Sequence, residues 1–419
     1  MPSPETITAR YLTRFKCLGT ACDESCCQGW QVQIDRRHHK ILQAAMNGSP
    51  AEREEFEAAI QPGEPRDDGR FAWIRLHRET QSCPFLSDAK LCTVQTRYGE
   101  GALPDICATY PRLVAKFGER LEVWGTLSCP ELARQCLLHE DALEIVDAPA
   151  DLSPRMTPTT AVVGTPTPYQ RYLDDMRGAM FELLSLRQYP MGTRLFLVAY
   201  LGKQTADFLN KSSTEVDEGR LAEVLRHVAA PQSVALWHDE LSRLPPPEGL
   251  TAKLVMQMLR ERLKTPLGSF RTLTDQILAT YSDGHSVAVD ELWSAYAARR
   301  QFWLDHHGDR VDLYFENYAK NFWMREWYVT SHDLLTHAHR LLVRVAMLRF
   351  LLFGHPALVE ARGLADASLR REVLDRAAVD VFYKCSRAIE HEGSFLDLIA
   401  ARLVSDGDLF AHSTALALV

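Results

Sequence analysis

Cysteine placement constrains this chain more than any other feature of its sequence. The 419 residues contain ten cysteines, and eight of them lie between Cys17 and Cys129. They occur in four short motifs, which read CLGTACDESCC, CPFLSDAKLC, ICATYPR and LSCPE. A chain of this length buries enough apolar surface to fold without disulfides or metals. The clustered cysteines therefore indicate a role other than stabilising the fold.

Thiolates are soft ligands that suit zinc, copper(I) and iron–sulfur clusters. The first motif has the spacing C-x4-C-x3-CC, which matches neither the short knuckles of structural zinc sites nor the C-x3-C-x2-C pattern of radical S-adenosylmethionine enzymes. The eight candidate metal ligands are Cys17, Cys22, Cys26, Cys27, Cys83, Cys92, Cys107 and Cys129. Eight thiolates are enough for one four-ligand centre or for two. For one centre, the preferred ligands are Cys22, Cys26, Cys107 and Cys129, because the adjacent Cys26 and Cys27 compete.

The charge balance and the apolar segments restrict the partners and the location. A net charge of −8, from 47 basic and 55 acidic residues, argues against nucleic-acid binding, which typically needs a basic surface. The N-terminus lacks the apolar stretch of a signal peptide. The run Leu341–Phe353 contains two arginines and is too short to span a membrane. We therefore predict a soluble cytoplasmic protein that binds no membrane and whose cysteines stay reduced.

The pattern of apolar residues predicts a mainly α fold in two parts. A loop-rich cysteine metal-binding domain is predicted at 1–146, with short helices at Asp35–Asn47 and Ala51–Ile60, followed by a proline-rich linker at 147–168. An all-helical domain is predicted at 169–419, with a break near Gly308. Its apolar stripes run through Tyr172–Leu184, Leu221–Val228, Leu254–Leu263, Leu292–Trp303, Leu334–Phe353, Leu374–Ile389 and Leu396–Leu403.

These residues resemble a known family. The motifs RFKCLGTACDESCCQGWQVQID, CPFL, ALPDICATYPR and LSCPE are similar to those of the flagellin lysine-N-methylases. That family lies within a broader group of zinc- or iron-chelating proteins named for a CxxCxxCC pattern, from which this spacing departs. The segment FENYAKNFWMREWY at Phe315–Tyr328 carries the resemblance into the helical part. The resemblance implies methylation of flagellin lysines before export, with S-adenosylmethionine as donor and a [4Fe-4S] cluster as cofactor; zinc is the alternative metal.

Few polar residues outside the cysteines are candidates for the chemistry. Tyr110 and Arg112 follow Cys107 closely and are candidates for catalysis, to orient the donor or tune the cluster. Four polar residues fall near one face of a predicted helix, where they form either a binding pocket or a solvated face. They are Glu316, a third catalytic candidate, and Asn317, Asn321 and Arg325, candidates for cofactor binding.

Two observations bear on the class of function. The glycine-rich turn with which common methyltransferases bind their donor is missing, since Gly99 and Gly101 lie between cysteines without a preceding strand. A metal-binding protein without methyltransferase activity, either a carrier or a redox protein, is therefore the alternative function. The large helical part favours a macromolecular substrate over a simple carrier, and the absence of a flavin or nicotinamide fingerprint counts against a redox enzyme.

Overall fold

The computed structural model describes residues 6–63, 70–117, 120–149, 159–160, 165–244, 255, 268–281, 288–389 and 408–418. Two predicted helical stripes, Leu254–Leu263 and Leu396–Leu403, lie outside the described residues apart from residue 255, which is helical. Most of the predicted linker, at 150–158 and 161–164, also lies outside them. The domain boundary at 147–168 therefore stays a prediction.

Helices dominate the described residues, as the sequence predicts. They are α1 (Arg10–Arg14), α2 (Arg36–Ala45), α3 (Pro50–Ala59), α4 (Thr93–Tyr98), α5 (Asp105–Thr109), α6 (Pro130–Leu137), α7 (Pro168–Arg171), α8 (Leu173–Leu184), α9 (Met191–Thr205), α10 (Glu218–Ala229), α11 (Pro231–Arg243), α12 (Gly268–Ala279), α13 (Val289–Arg325), α14 (Leu334–Gly354), α15 (Pro356–Ala361), α16 (Ala367–Ile389) and α17 (Leu409–Ala417). The two short helices predicted in the first third correspond to α2 and α3. The side chains of Asp35 and Ser49 accept hydrogen bonds from first-turn amides of these helices and so fix where each begins.

Eight short strands, all in the described part of the first 160 residues, are the main feature that the sequence pattern did not predict. They are β1 (Thr6–Ala9), β2 (Gln33–Asp35), β3 (Ile60–Pro62), β4 (Arg70–Ile74), β5 (Arg112–Phe117), β6 (Arg120–Gly125), β7 (Ile145–Asp147) and β8 (Thr159–Thr160). One sheet has the order β7-β1-β6-β5-β8 and the other the order β2-β4-β3. In the larger sheet β1 runs parallel to β6, pairing Thr6 with Leu121. The cysteine motifs lie in the loops and short helices between these strands.

The buried apolar residues form two groups, a main core and a small core. The main core includes Tyr11, Trp124 and Leu132 from the first third, and it continues through the helices from α8 to α17. The small core is built from β2–β4 and α2–α5. The larger sheet and α6 thus pack against the C-terminal helices, whereas the segment between β2 and α5 has a core of its own.

Helix α14 lies at the centre of the main core and packs on α9, α13, α16 and α17. A Cβ atom at Gly202 of α9 would lie 2.8 Å from backbone atoms of Leu335, so this glycine permits the close approach of α9 and α14. Two of the three arginines in α14 are buried, and these two, Arg344 and Arg349, place their guanidinium groups 4.9 and 5.2 Å from the ring centroids of Phe322 and Phe315. No helix in the described parts of the chain is both long and apolar enough to cross a membrane.

The predicted break near Gly308 is present as a kink. Helix α13 continues through it, but His307 has a non-helical backbone conformation, with φ −146° and ψ 32°. The C-terminal half of α13 is almost entirely buried. It carries Glu316, Asn317, Asn321 and Arg325.

Candidate metal centre and adjoining cleft

Four cysteines belong to the small core. Cys83 is buried within it, and Cys27, Cys92 and Cys107 pack against it. Together with Cys26 they line a cavity of about 80 Å³ whose other walls are mainly apolar. Five cysteines that line one mainly apolar cavity form a site of the type that binds soft metals.

Backbone hydrogen bonds hold these four cysteines in place. The Cys83 amide donates to the Cys27 carbonyl at 2.8 Å, and an isolated bridge pairs Leu86 with Cys92. The Cys107 amide donates to the Pro104 carbonyl at 2.9 Å in the first turn of α5. Three segments that are distant in sequence are thereby held around one cavity.

The surroundings keep most of these thiols protonated when no metal binds them. Burial raises the pKa of Cys83 to about 11. Burial and the neighbouring Cys83 and Cys92 raise the pKa of Cys107 above its usual range. The hydrogen bond to Cys26, together with burial, raises the pKa of Cys27, and the same bond lowers the pKa of Cys26 to about 7. A bound metal would deprotonate such thiols outright.

The spacing of the sulfurs does not match a preformed tetrahedral zinc site. Tetrahedral zinc with Zn–S bonds of about 2.3 Å brings its ligand sulfurs to within about 3.8 Å of one another. All ten cysteines lie in the described residues and none is in a disulfide, yet no three of their sulfurs lie mutually within 4.8 Å. The sulfur donors of the cavity are of the type that both zinc and iron–sulfur clusters take.

The other predicted ligands lie outside this cavity. Cys17 is exposed, Cys22 is half-buried and Cys129 is buried at the beginning of α6. The Cys22 thiol is 3.3 Å from the Glu24 carbonyl oxygen. Of the four ligands preferred for a single centre, the structure thus places Cys26 and Cys107 in one cavity, with Cys27, Cys83 and Cys92, and places Cys22 and Cys129 outside it.

A histidine lies between two carboxylates and contacts the helix that carries Cys107. The Nδ1 atom of buried His38 lies 2.6 Å from Asp35, and its Nε2 atom lies 3.2 Å from Asp105. Asp105 begins α5, the helix that carries Cys107. This contact connects α2 to the Cys107 helix, and both ring nitrogens are occupied by it.

A larger cleft of about 620 Å³ adjoins the cysteine cavity, and Trp30 and Tyr110 line both. Their rings stack with centroids 6.0 Å apart, and the Tyr110 hydroxyl lies 3.1 Å from the Ser128 hydroxyl. Helices α12 and α16 form the opposite side through Phe270 and Tyr383, among other residues. Its volume is typical of a small-molecule site.

Arg387 of α16 joins the walls of the cleft. Its guanidinium lies 2.9 Å from the Glu24 carboxylate and donates to the backbone carbonyls of Ser128 at 2.8 Å and Glu24 at 3.3 Å. The Glu24 carboxylate also accepts a hydrogen bond from Ser269 of α12 at 2.9 Å. One cation therefore contacts the loop with the first four cysteines and the segment that precedes Cys129.

The structure separates the residues that the sequence proposed for catalysis and cofactor binding. Tyr110 lines both the cavity and the cleft, and its part in catalysis stays a prediction. Arg112 lies on β5, with its guanidinium 5.8 Å from the Phe15 ring centroid. Neither Arg112 nor any of the four candidates on α13 lines the cavity or the cleft.

The four polar residues of α13 bind protein groups inside the main core. Glu316 lies 3.0 Å from both Arg187 and Arg194. Asn317 donates to the carbonyl oxygens of Cys136, in the last turn of α6, and of His139, just beyond its end, and Asn321 accepts from Tyr11. Arg325 donates to Glu326 at 2.8 Å. These contacts stabilise the packing of α13, and a part in catalysis or donor binding stays a prediction.

Sequence reasoning missed Glu24, Tyr383 and Arg387. Glu24 lies inside the first cysteine motif, and Tyr383 and Arg387 are four residues apart on one face of α16. That spacing is a usable signal, but it also describes any exposed helical face.

Comparison with known proteins identifies the class to which this fold and site belong. Residues 177–418 match the family model described as the FliB lysine N-methylase C-terminal domain. That match covers more than half of the chain, so the chain belongs to this family.

Two relatives match a shorter part of the chain. The lysine-N-methylase of Salmonella typhimurium is 27% identical over 135 residues, which are 32% of this chain and 33% of the relative. The flagellar biosynthetic protein FliU of Salmonella muenchen is 26% identical over 135 residues, which are 32% of this chain and 78% of the relative. The alignment thus spans about a third of the lysine-N-methylase. No solved structure matches the chain significantly.

Proposed function

We propose that this chain is a protein-lysine N-methyltransferase that acts on flagellin in the cytoplasm, with S-adenosylmethionine as the methyl donor. The observation that carries the proposal is the family match, because residues 177–418 include α12 and α16, which form one side of the cleft. The names of the two relatives, a lysine-N-methylase and a flagellar biosynthetic protein, support the reaction and the substrate.

The cleft has properties that suit a lysine side chain. Three acidic residues, Asp23, Glu24 and Glu79, line it beside the basic Lys384 and Arg387. Arg134 and Arg387 pair with Asp23 and Glu24, so Glu79 is the carboxylate that would attract an ammonium group. Trp30 and Phe270 exclude water from its apolar part. Desolvation lowers the pKa of an amine, so a lysine held there releases its proton more readily and becomes nucleophilic.

The reaction itself is a direct displacement. A nitrogen–carbon bond forms from the neutral amine as the carbon–sulfur bond of the sulfonium donor breaks and sulfur keeps the electron pair. Such a step depends mainly on in-line positioning of the two reactants. Tyr110, whose phenol is kept protonated because burial raises its pKa, donates hydrogen bonds and does not act as a base.

Cys27, Cys83, Cys92 and Cys107 would hold the [4Fe-4S] cluster of this proposal. When bound, such a cluster supplies a redox-active group beside the cleft. Trp30 and Tyr110 stand between the cavity and the cleft and limit the access of water and oxygen to it.

The test combines metal analysis with methyl transfer. The chain is purified without oxygen, and iron, acid-labile sulfide and zinc are measured. It is then incubated with flagellin and methyl-labelled S-adenosylmethionine, and labelled lysines are located by mass spectrometry. We expect label on flagellin lysines, lost in Cys107→Ala and kept in Cys136→Ala, since Cys136 is buried in the main core.

Two results would contradict the proposal at different points. Iron and sulfide without any label on flagellin would favour a metal carrier or a redox protein. Zinc without sulfide would reject the cluster, even if methyl transfer were observed.

A further inference from the structure

A groove of about 710 Å³ adjoins the cleft along helix α16. Asp23, Tyr383 and Lys384 line both spaces, so the groove opens beside the cleft. Helices α6 and α15 contribute Arg134 and Ala357 to its lining. The groove therefore runs between helices, and one end of it reaches the place where we expect the target lysine.

One face of α16 lines the cleft and the groove along most of its length. The residues on this face recur at steps of three and four, and they are Val373, Arg376, Asp380, Tyr383, Lys384 and Arg387. From Val373 to Ala388 the helix rises about 22 Å, at 1.5 Å per residue. An extended chain covers that distance with about six or seven residues, at 3.3 Å each. The cleft alone has the volume of a small-molecule site, whereas the two spaces together have the length of a peptide segment.

The formal charges of the described residues that line the groove cancel. Its lining has three carboxylates and three cations, which are Asp23, Asp375, Asp380, Arg134, Arg376 and Lys384. Each of the three carboxylates has a cation of this chain at 3.0 Å or less. Binding of phosphate groups needs an excess of lysine and arginine, so this groove does not suit a nucleic acid. The main chain of a polypeptide is neutral, and it both donates and accepts hydrogen bonds.

The rest of the lining includes small apolar side chains. Ala357, Val373 and Ala377 lie between the charged residues and leave room for the side chains of an occupant. Contacts of this kind depend on apolar area and on the main chain of the occupant. The groove is therefore suited to segments of differing sequence.

We propose that this groove binds an extended segment of the protein substrate, next to the lysine that occupies the cleft. The inference rests on the proposed function and deepens it by naming the state of the substrate. A segment that lies between helices over about 22 Å has to leave its own fold to enter. The substrate is therefore an unfolded stretch of chain and not the surface of a folded protein.

The first test measures binding directly, so it does not depend on methyl transfer. Two fluorescein-labelled peptides of flagellin sequence each contain a single lysine, with one residue on each side in the short peptide and about seven in the long one. Fluorescence anisotropy gives the Kd of each peptide for the full-length protein. We expect the long peptide to bind about tenfold more tightly than the short one.

Ala357→Trp should remove this advantage of the long peptide, because the indole fills the groove. Ala367→Trp is the matched control, since it makes the same enlargement at an exposed position at the beginning of α16, outside the groove. It should keep the advantage. If Ala357→Trp does not fold, Val373→Phe narrows the groove from the α16 side and should have the same effect.

The second test measures methyl transfer from labelled S-adenosylmethionine. We expect kcat/KM to be higher for the long peptide than for the short one, and higher than for the same lysine within folded flagellin. Equal binding of the two peptides, or an advantage that survives in folded Ala357→Trp or Val373→Phe, would overturn the groove. Binding that depends on length without any methyl transfer would reject the methylase proposal alone, and transfer at equal kcat/KM to both peptides would reject the groove alone.

Discussion

The Glu24 carboxylate lies 2.9 Å from the Arg387 guanidinium and joins the first cysteine motif to helix α16. Both side chains are largely buried, at 19% and 16% exposure. Breaking a buried pair leaves an uncompensated charge and costs about 3–5 kcal/mol. The pair therefore fixes the cysteine loop against the part of the chain that defines the family.

Replacing Arg387 by methionine should release this loop. We expect faster amide hydrogen exchange in residues 22–27 and 126–129, because both segments lose their contacts with the guanidinium. Metal content and methyl transfer should fall as well. Hydrogen exchange read by mass spectrometry checks the first effect directly.

Arg376→Met is the matched control, since Arg376 is exposed on the same helix and contacts only the Glu372 carbonyl among the bonds observed. It should leave exchange in both segments unchanged. Equal rates of amide hydrogen exchange in Arg387→Met and in the wild type would show that Arg387 does not hold the two segments in place. If Arg387→Met does not fold, Glu24→Gln can be tested instead, because it removes the charge of the pair and keeps the shape of the side chain.

His38→Gln should weaken metal retention at the enclosed centre. A glutamine cannot bond Asp35 and Asp105 together as the imidazole does, so α5 and its Cys107 lose a support. Loss of a buried hydrogen-bonding partner costs about 1–3 kcal/mol. The measurement is the rate at which iron leaves the anaerobic protein when a chelator is added.

His39→Gln provides the comparison. His39 follows on the same helix, but it packs edge-on against Phe56 and Phe71 and away from α5. Its variant should release iron at the wild-type rate. Equal rates for both variants would show that the His38 contacts do not support the centre.

Trp30→Ala should expose the cysteine cavity to oxygen. The Trp30 ring lines both the cavity and the cleft, and its indole nitrogen donates to the Cys26 carbonyl at 2.7 Å. We expect the cluster absorbance to decay several-fold faster in air than in the wild type. Trp237→Ala, which removes an indole that packs on Phe196 and Tyr200, should not change the decay, and a slow decay in Trp30→Ala would disprove the shielding role.

Periodicity predicted the helices because their signal is local. The stripes at Tyr172–Leu184 and Leu334–Phe353 each correspond to an observed helix, α8 and α14. The strands were missed because they have six residues or fewer, and several of them pair with distant partners, as Thr6 does with Leu121. Their stability comes from pairing and packing, which local sequence does not encode.

The polar face of α13 is a second feature that local sequence predicted only in part. Spacing correctly indicated that Glu316 and Asn317 lie near each other on a helix. It did not indicate that this face meets protein, where Asn317 satisfies carbonyls at the end of α6. Likewise, the motifs identified the eight cysteines, but which of them line one cavity depends on long-range contacts such as that of the Cys83 amide with the Cys27 carbonyl.

The ion pair between Glu122 and Arg177 yields a prediction for stability against pH. Glu122 of β6 is fully buried, and Arg177 of α8 donates to both of its oxygens at 2.8 Å. Burial alone would raise the pKa of Glu122, but the bonds and charges of Arg177 and Arg120 outweigh it and lower the pKa. A carboxyl whose pKa is lower in the folded state stabilises the fold above its unfolded pKa, about 4.3 for glutamate. That contribution disappears as the pH falls through the lower, folded value.

Glu122→Gln should therefore lower the free energy of unfolding by about 3–5 kcal/mol at neutral pH. The difference from the wild type should stay constant down to about pH 5 and shrink below about pH 4, where the wild-type carboxyl is itself neutralised. Thermal unfolding at a series of pH values measures it. Glu144→Gln removes the exposed pair with Arg10 and should leave the free energy of unfolding almost unchanged, because solvent screens such pairs. A difference between Glu122→Gln and the wild type that persists unchanged at the lowest pH would show that packing, not charge, is responsible.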